Sequence, residues 1–391
     1  MNRKTGFQIA FTLGFSALII MLFSSFSFAD PIPYLKPTYI YVRGSYYVLN
    51  GDFFNCTMVV ECDNAVIDGA GHTFQGASGL NRIATGIYLS GRKNVIIKNI
   101  IIDNYVTGIQ LSECENITIS NNSVSDCSVN IEMTHSNNSR IESNNVTGGV
   151  FRGIVFGACN NNSFTKNNII GNSMGFMAEG DIWISSRYNT VIGNYIAEND
   201  FGISIIQGSN NRIEGNNITR NNFGISIRNS DQVIGNTFLD NNYGFQLHSE
   251  NCTFYHNNFS NSSEHYGRHE WAVKVSPINS WDSGSEGNYW SDYNGIDANG
   301  DGIGDTPYTL DSNNTDNFPL MKPFGTNSSP LPSPTDVSYL YFAISVAAGV
   351  AFALSCLAML FIKQRKTKSR KAVRFEVGQC KYGFSHSHEG S

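Results

Sequence analysis

The sequence predicts an all-β fold: a parallel β-helix solenoid of about ten coils, followed by one C-terminal transmembrane helix. Three observations predict it. "DFGISI" returns as "NFGISI", with Gly202 and Gly224 separated by 22 residues, and a fixed period in the twenties is the mark of a solenoid. Within each period, runs of three to five residues alternate apolar and polar, as strands do, and no stretch keeps the 3.6-residue period of a helix. Finally, Val337 to Ile362 carries no charge and is followed at once by Lys363, Arg365, Lys366, Lys368, Arg370 and Lys371.

The elements follow in chain order. Arg3 and Lys4 precede an apolar run from Phe7 to Phe28 that ends in the small-x-small pattern Ser27-Phe28-Ala29, so residues 1–29 read as a signal peptide cleaved before Asp30. Residues 30–58 read as an N-terminal cap. The repeats occupy 59–263. Aligning the small residue before each short strand gives Gly86, Gly108, Asn130, Gly153, Gly175, Gly202, Gly224 and Gly244, with steps of 22, 22, 23, 22, 27, 22 and 20. Asn122, Asn145, Asn168, Asn217 and Asn258 are placed in the turns, where asparagine tolerates left-handed backbone and stacked amides can hydrogen-bond along the ladder. They are read as architecture, not as ligands.

Residues 264–324 are read as a C-terminal cap, 325–337 as a Pro/Ser linker, 338–362 as a transmembrane helix long enough for a bilayer, and 363–391 as a basic tail. The positive-inside rule puts that tail in the cytoplasm and the bulk of the chain outside, as a single-pass protein at the cell surface. The exported part holds 16 basic and 30 acidic residues, a net charge near −14, which disfavours nucleic acid as a partner. It also carries Asn-x-Ser/Thr acceptors at Asn55, Asn116, Asn121, Asn137, Asn145, Asn161, Asn217, Asn251, Asn258, Asn261, Asn313 and Asn327, so glycosylation is expected. Export permits disulfides, with Cys56 and Cys62 the easiest pair by proximity; no Cys-x-x-Cys is present.

"VIDGAGHTFQG" (Val66 to Gly76) resembles the first coil of right-handed parallel β-helix proteins. The repeated "NxIxxNxxGIxI" pattern resembles that of NosD-like and other carbohydrate-associated β-helices. "GNYWSDYNGIDANGDGIGDTPY" (Gly287 to Tyr308) is similar to a C-terminal segment of archaeal cell-surface members with a membrane anchor. The resemblance covers about Val59 to Met321 and speaks to fold more than to activity, because this fold hosts many functions.

Three constellations could carry chemistry. In "DANGDGIGD", Asp297, Asn299 and Asp301 have the 1-3-5 spacing of a calcium loop, with Gly302 at position 6, the Ile303 carbonyl at 7 and Asp305 at 9; oxygen donors alternating on a tight turn suit a hard cation. The position-12 glutamate is replaced by Tyr308. A structural Ca2+ ordering the cap is therefore expected. Glu132 and Glu179, with Asp181 in the one long step, form a weak candidate catalytic set, though the two glutamates do not fall at equivalent strand positions. The NosD resemblance directs attention to His248, His256, His265 and His269, since imidazole suits copper; no Met or Cys cluster joins them, and copper is not expected.

The leading expectation is a membrane-anchored binding or structural module facing glycans or other surface proteins, with Tyr88, Gln110 and His248 among its outward groups. The alternatives are a polysaccharide lyase or glycoside hydrolase, and a NosD-like role in copper-site maturation.

Overall fold

The computed structural model describes residues 38–77, 84–179, 185–206, 208–228, 230–247, 250–261, 264–266 and 278–325. Every regular element among them is a strand. The strands fall in turn into three parallel sheets. Sheet A runs through eleven strands from Thr38–Val42 to Glu264–Tyr266, sheet B through ten from Tyr46–Val48 to Thr253–Tyr255, and sheet C through eleven from Phe53–Phe54 to Tyr289–Trp290. Each coil but the last contributes one strand to each sheet, so neighbouring strands in space lie one repeat apart in sequence.

The repeat motif explains itself in this register. Ile203 pairs with Ile225, and Ile205 with Ile227; all four side chains are buried. The same inward column runs upstream through Ile87, Ile109, Ile131, Ile154 and Phe176, each wholly buried and worth about 1.5–3 kcal/mol as transferred apolar side chain. The glycine before the strand has a steric cause. A Cβ on Gly202 would stand 2.6 Å from the Gly224 carbonyl oxygen of the next coil, closer than any side chain tolerates. Asn130 stands at one glycine position instead and uses its side chain: Nδ2 donates to Thr147 O at 3.0 Å, and Oδ1 accepts from the Cys127 amide at 3.2 Å.

Corners are turned by residues in left-handed backbone. Between sheets A and B the column is Asn94, Asn116, Asn138, Asn161, Tyr188, Asn210, Ser230 and Asn251, all with φ between 52° and 67°. Asparagine dominates because it reaches this region at least cost among non-glycine residues.

The asparagine ladder runs one residue away from where the sequence suggested. Asn122 belongs to it, but the column continues through Asn144, Asn167, Asn194, Asn216, Asn236, Asn257 and Asn288, all buried. Asn145, Asn168, Asn217 and Asn258 instead open the strands of sheet C. In the ladder each backbone N–H donates to the next coil's side-chain oxygen, as Asn144 does to Asn167 at 3.0 Å and Asn167 to Asn194 at 2.9 Å. Each Nδ2 donates back to a backbone carbonyl, as Asn167 does to Ile141 at 2.9 Å. The corner's polar backbone is thereby satisfied by protein groups.

Both ends depart from the repeat pattern. The ladders begin at Thr38, within the segment read as a cap, and two strands of sheet A precede Thr85. At the other end Trp281 and Trp290 close the core, stacked on Phe254 at 4.4 Å and Phe259 at 4.5 Å. Tyr308 stacks in turn on Trp290 at 4.5 Å. The buried Asp316 completes the ladder, accepting from the Asn288 amide at 2.7 Å and the Trp290 indole at 2.9 Å.

No disulfide joins Cys56 and Cys62, the pair nearest in sequence: both are free, as are Cys114, Cys159 and Cys252. Cys56 is buried in its strand, while Cys62 lies past the strand end and donates to Gly44 O at 3.1 Å. Burial pushes the Cys56, Cys159 and Cys252 thiols up to about 11, so they are poor nucleophiles and metal ligands. The expected signal peptide and transmembrane helix fall on residues outside the described ones, among which no helix is long and apolar enough to cross a membrane.

Candidate ligand-binding face

Outward positions of sheet A form three columns. The first strand position carries Thr85, Thr107, Val129, Arg152, Met174, Phe201, Phe223 and Tyr243. The middle column carries Tyr88, Gln110, Glu132, Val155, Met177, Ser204, Ser226 and Gln246 along the same register. Thr134, Gly157 and Glu179 belong to the third.

Accessibility divides the middle column. Tyr88, Gln110 and Glu132 are half-exposed, whereas Val155, Met177, Ser204, Ser226 and Gln246 are all below one-tenth exposed. The open part is therefore polar and lies on the strands Thr85–Ser90, Thr107–Ser112 and Val129–Thr134. Its side chains are tied together. Thr85 Oγ1 donates to Gln110 Oε1 at 3.2 Å, Gln110 Nε2 donates to Glu132 Oε2 at 3.2 Å, and Thr107 Oγ1 donates to the same oxygen at 3.4 Å. This chain fixes which end of the Gln110 amide donates and which accepts. Beyond it, Arg152 Nη2 meets Glu179 Oε1 at 2.6 Å. Val106 stands exposed before the strand Thr107–Ser112, and Val150 and Phe151 before the strand Arg152–Gly157. Further along, Phe201, Phe223 and Tyr243 stack at 4.7 Å spacing.

Tyr88, Gln110 and Glu132 were legible as outward groups; Thr85, Thr107, Arg152 and Phe151 were not singled out. The signal that could have found Thr85, Thr107 and Arg152 is the residue just before each repeat glycine, which the register makes the first outward position of the strand.

The other candidates are not assembled with them. Glu132 and Glu179 lie two coils and two strand positions apart, a backbone separation of roughly 12 Å from the strand spacings. Paired glycosidase carboxylates stand roughly 5–9.5 Å apart, and Glu179 is already occupied by Arg152. Asp181 lies outside the described residues. So do His248 and His269, while His265 falls on the last strand of sheet A. His256 Nε2 is 2.6 Å from Glu286 Oε2 and its ring stacks on Phe324 at 3.9 Å. Among the described residues no three His, Cys, Asp or Glu side chains stand together as a metal site.

The calcium-like loop is closed on itself. Asp297 Oδ1 accepts from the Gly300 amide at 2.7 Å, Asp297 Oδ2 from Gly302 at 2.9 Å, and Asp301 Oδ1 from Ile303 at 2.9 Å. Asn299 Nδ2 donates to Asp301 Oδ2 at 2.9 Å, and Asp305 Oδ2 accepts from Ala298 at 2.7 Å. The oxygens are the class a hard cation takes.

A family model described as "Periplasmic copper-binding protein (NosD)" matches residues 35–200 and 179–295. The chain belongs to the NosD family. No curated protein matches it. Among solved structures, this NosD family member is similar to DFA-IIIase from Arthrobacter chlorophenolicus A6 without its lid, at 16% identity and a TM-score of 0.42, over 59% of this chain and 65% of that one. It is also similar to the A-module of the mannuronan C-5 epimerase AlgE6 from Azotobacter vinelandii, at 13% identity and a TM-score of 0.41, over 63% of this chain and 90% of that one. These likenesses are of fold. The copper in the family's description finds no group of three His, Cys, Asp or Glu among the described residues of this member, where every thiol but Cys62 is buried and His256 is engaged by Glu286.

Proposed function

We propose that this NosD family member is an exported, membrane-anchored binding module that engages glycans through the open part of sheet A. The observation that supports this reading is the oriented row Thr85–Gln110–Glu132–Thr107 beside the half-exposed Tyr88. A sugar ring has an apolar C–H face and a rim of hydroxyls. Aromatic rings carry the first, and amides and carboxylates held in fixed geometry answer the second at low entropic cost. The strands place these groups at successive coils about 4.8 Å apart, close to the length of one sugar residue, so an extended chain can lie along the solenoid axis.

Binding without turnover is favoured because the two glutamates nearest this face are separated and one is paired. The anchor in this reading is Val337 to Ile362. Retention of the detergent-solubilised full-length protein on a glycan array, with loss in Tyr88→Ala and Gln110→Ala, tests the binding reading.

A further inference from the structure

The acceptor motifs of the chain differ sharply in what the fold does with them. Asn116, Asn161 and Asn251 stand in one column, the left-handed corner between sheets A and B, with φ of 54°, 57° and 67°. All three are exposed. Their hydroxyl partners Thr118, Ser163 and Thr253 occupy one register position, the first residue of a sheet B strand. The fold thus presents the same local geometry three times on one flank, with two coils and then four between successive sites, or roughly 10 Å and 19 Å.

The three motifs that open sheet C strands are handled differently. Asn258 is buried, and its amide donates to Phe324 O at 3.1 Å while its Oδ1 accepts the Phe324 amide at 2.7 Å. Asn145 is half-buried and accepts from Asn168 at 2.8 Å. Asn217 is half-buried with its Oδ1 enclosed and unpaired.

We propose that Asn116, Asn161 and Asn251 are N-glycosylated and form a row of glycans on the A–B corner, and that Asn145, Asn217 and Asn258 are not. The donor is a lipid-linked oligosaccharide. The C1–O bond to its phosphate breaks with the lipid phosphate leaving, the Asn Nδ2–C1 bond forms, and Nδ2 gives up one proton. Asn116 can accept the sugar and keep its place, because Nδ2 retains a second hydrogen for the 2.7 Å bond to Asn94 Oδ1. Asn161 and Asn251 make no side-chain hydrogen bond among the described residues. No acceptor asparagine lies within a described sheet A strand, so the row borders the open polar face without standing on it.

The test is site occupancy on full-length protein isolated from the cells that make it, by mass spectrometry of peptides before and after deglycosylation. Occupancy at Asn116, Asn161 and Asn251 is expected to be at least tenfold that at Asn145, Asn217 and Asn258. Unmodified peptides at all three corner sites, or equal occupancy at Asn258, would overturn the assignment. A second variant guards against an effect of misfolding. Thr118→Ala removes the acceptor motif while leaving Asn116 and its hydrogen bond in place, and should lower the mass of the intact protein by one glycan with an unchanged melting point. An unchanged mass would also overturn the assignment.

Discussion

Asp231 stands in register with Asn211 at a position that asparagine holds in the three preceding coils, as Asn162, Asn189 and Asn211. Its Oδ1 accepts the Asn211 amide at 2.8 Å and Asn211 Nδ2 at 3.1 Å, while Oδ2 is buried with no partner among the described residues. In the coils before it the corresponding atom is an Nδ2 that donates to a carbonyl, as Asn189 does to Cys159 at 2.9 Å. An ionised carboxylate has nothing to donate there. Burial, against the two bonds from Asn211, accordingly raises the Asp231 carboxyl from 3.8 to about 7.

The sign of the consequence follows from linkage. Between pH 3.8 and 7 the folded chain holds a proton that the unfolded chain has released. The stability this confers is complete below pH 3.8 and is lost as pH rises through about 7. One decade of proton affinity is about 1.4 kcal/mol, so the shift from 3.8 to about 7 puts on the order of 4 kcal/mol at stake, roughly half of it above pH 5.5. Asp231→Asn should raise the denaturation midpoint at pH 8.5 and remove most of the difference between pH 5.5 and 8.5. Asp316, also raised by burial but met by four donors, remains in both proteins as an internal constant. A variant no more stable than the parent at pH 8.5 would mean that Asp231 is accommodated as the anion.

The ladder also sets the cost of removing one amide. Asn167→Ala deletes the acceptor of the Asn144 amide and Nδ2, at 3.0 Å each, and leaves the Ile141 carbonyl and the Asn194 oxygen without that donor. Unsatisfied buried groups cost about 1–3 kcal/mol each, so a loss of about 3–5 kcal/mol is expected in chemical denaturation. Asn168→Ala, one residue on, should cost less than about 1 kcal/mol. Equal losses would show that the two columns are not distinguished by burial.

That one-residue distinction marks what the sequence could not convey. The period, the all-strand coil and the inward Ile column were legible because Gly-Ile-x-Ile repeats fix both spacing and face; that each coil holds three strands rather than two was not. Which asparagine of a pair such as Asn144-Asn145 or Asn167-Asn168 points inward was not, since both are polar and both adjoin a corner. The coils from Thr38 to Val60 were missed because Tyr39, Tyr41 and Tyr46 replace the motif. The face of sheet A was partly legible at Tyr88, Gln110 and Glu132. Its hydrogen-bonded row depends on pairs such as Thr85 and Gln110, 25 residues apart, which only the register brings together.

Calcium is proposed to order the cap through Asp297, Asn299, Asp301, the Ile303 carbonyl and Asp305. Binding to the folded state alone adds about 2.7 kcal/mol at a hundredfold excess over Kd. Without a position-12 glutamate, a Kd on the order of 10⁻⁴ to 10⁻³ M is expected. Millimolar calcium should raise the melting point of the parent and not that of Asp297→Ala with Asp301→Ala. No shift in the parent would leave the loop as a self-bonded turn.

Calorimetric titration with the saccharides retained on an array tests the binding account most directly, using the full-length protein, Tyr88→Ala, Gln110→Ala and the buried-position control Ser204→Ala. The account predicts saturable binding by the parent, at least tenfold weaker binding by Tyr88→Ala and Gln110→Ala, and a change below twofold in Ser204→Ala. Retention of no glycan by the parent, or equal affinity in all four proteins, would contradict it.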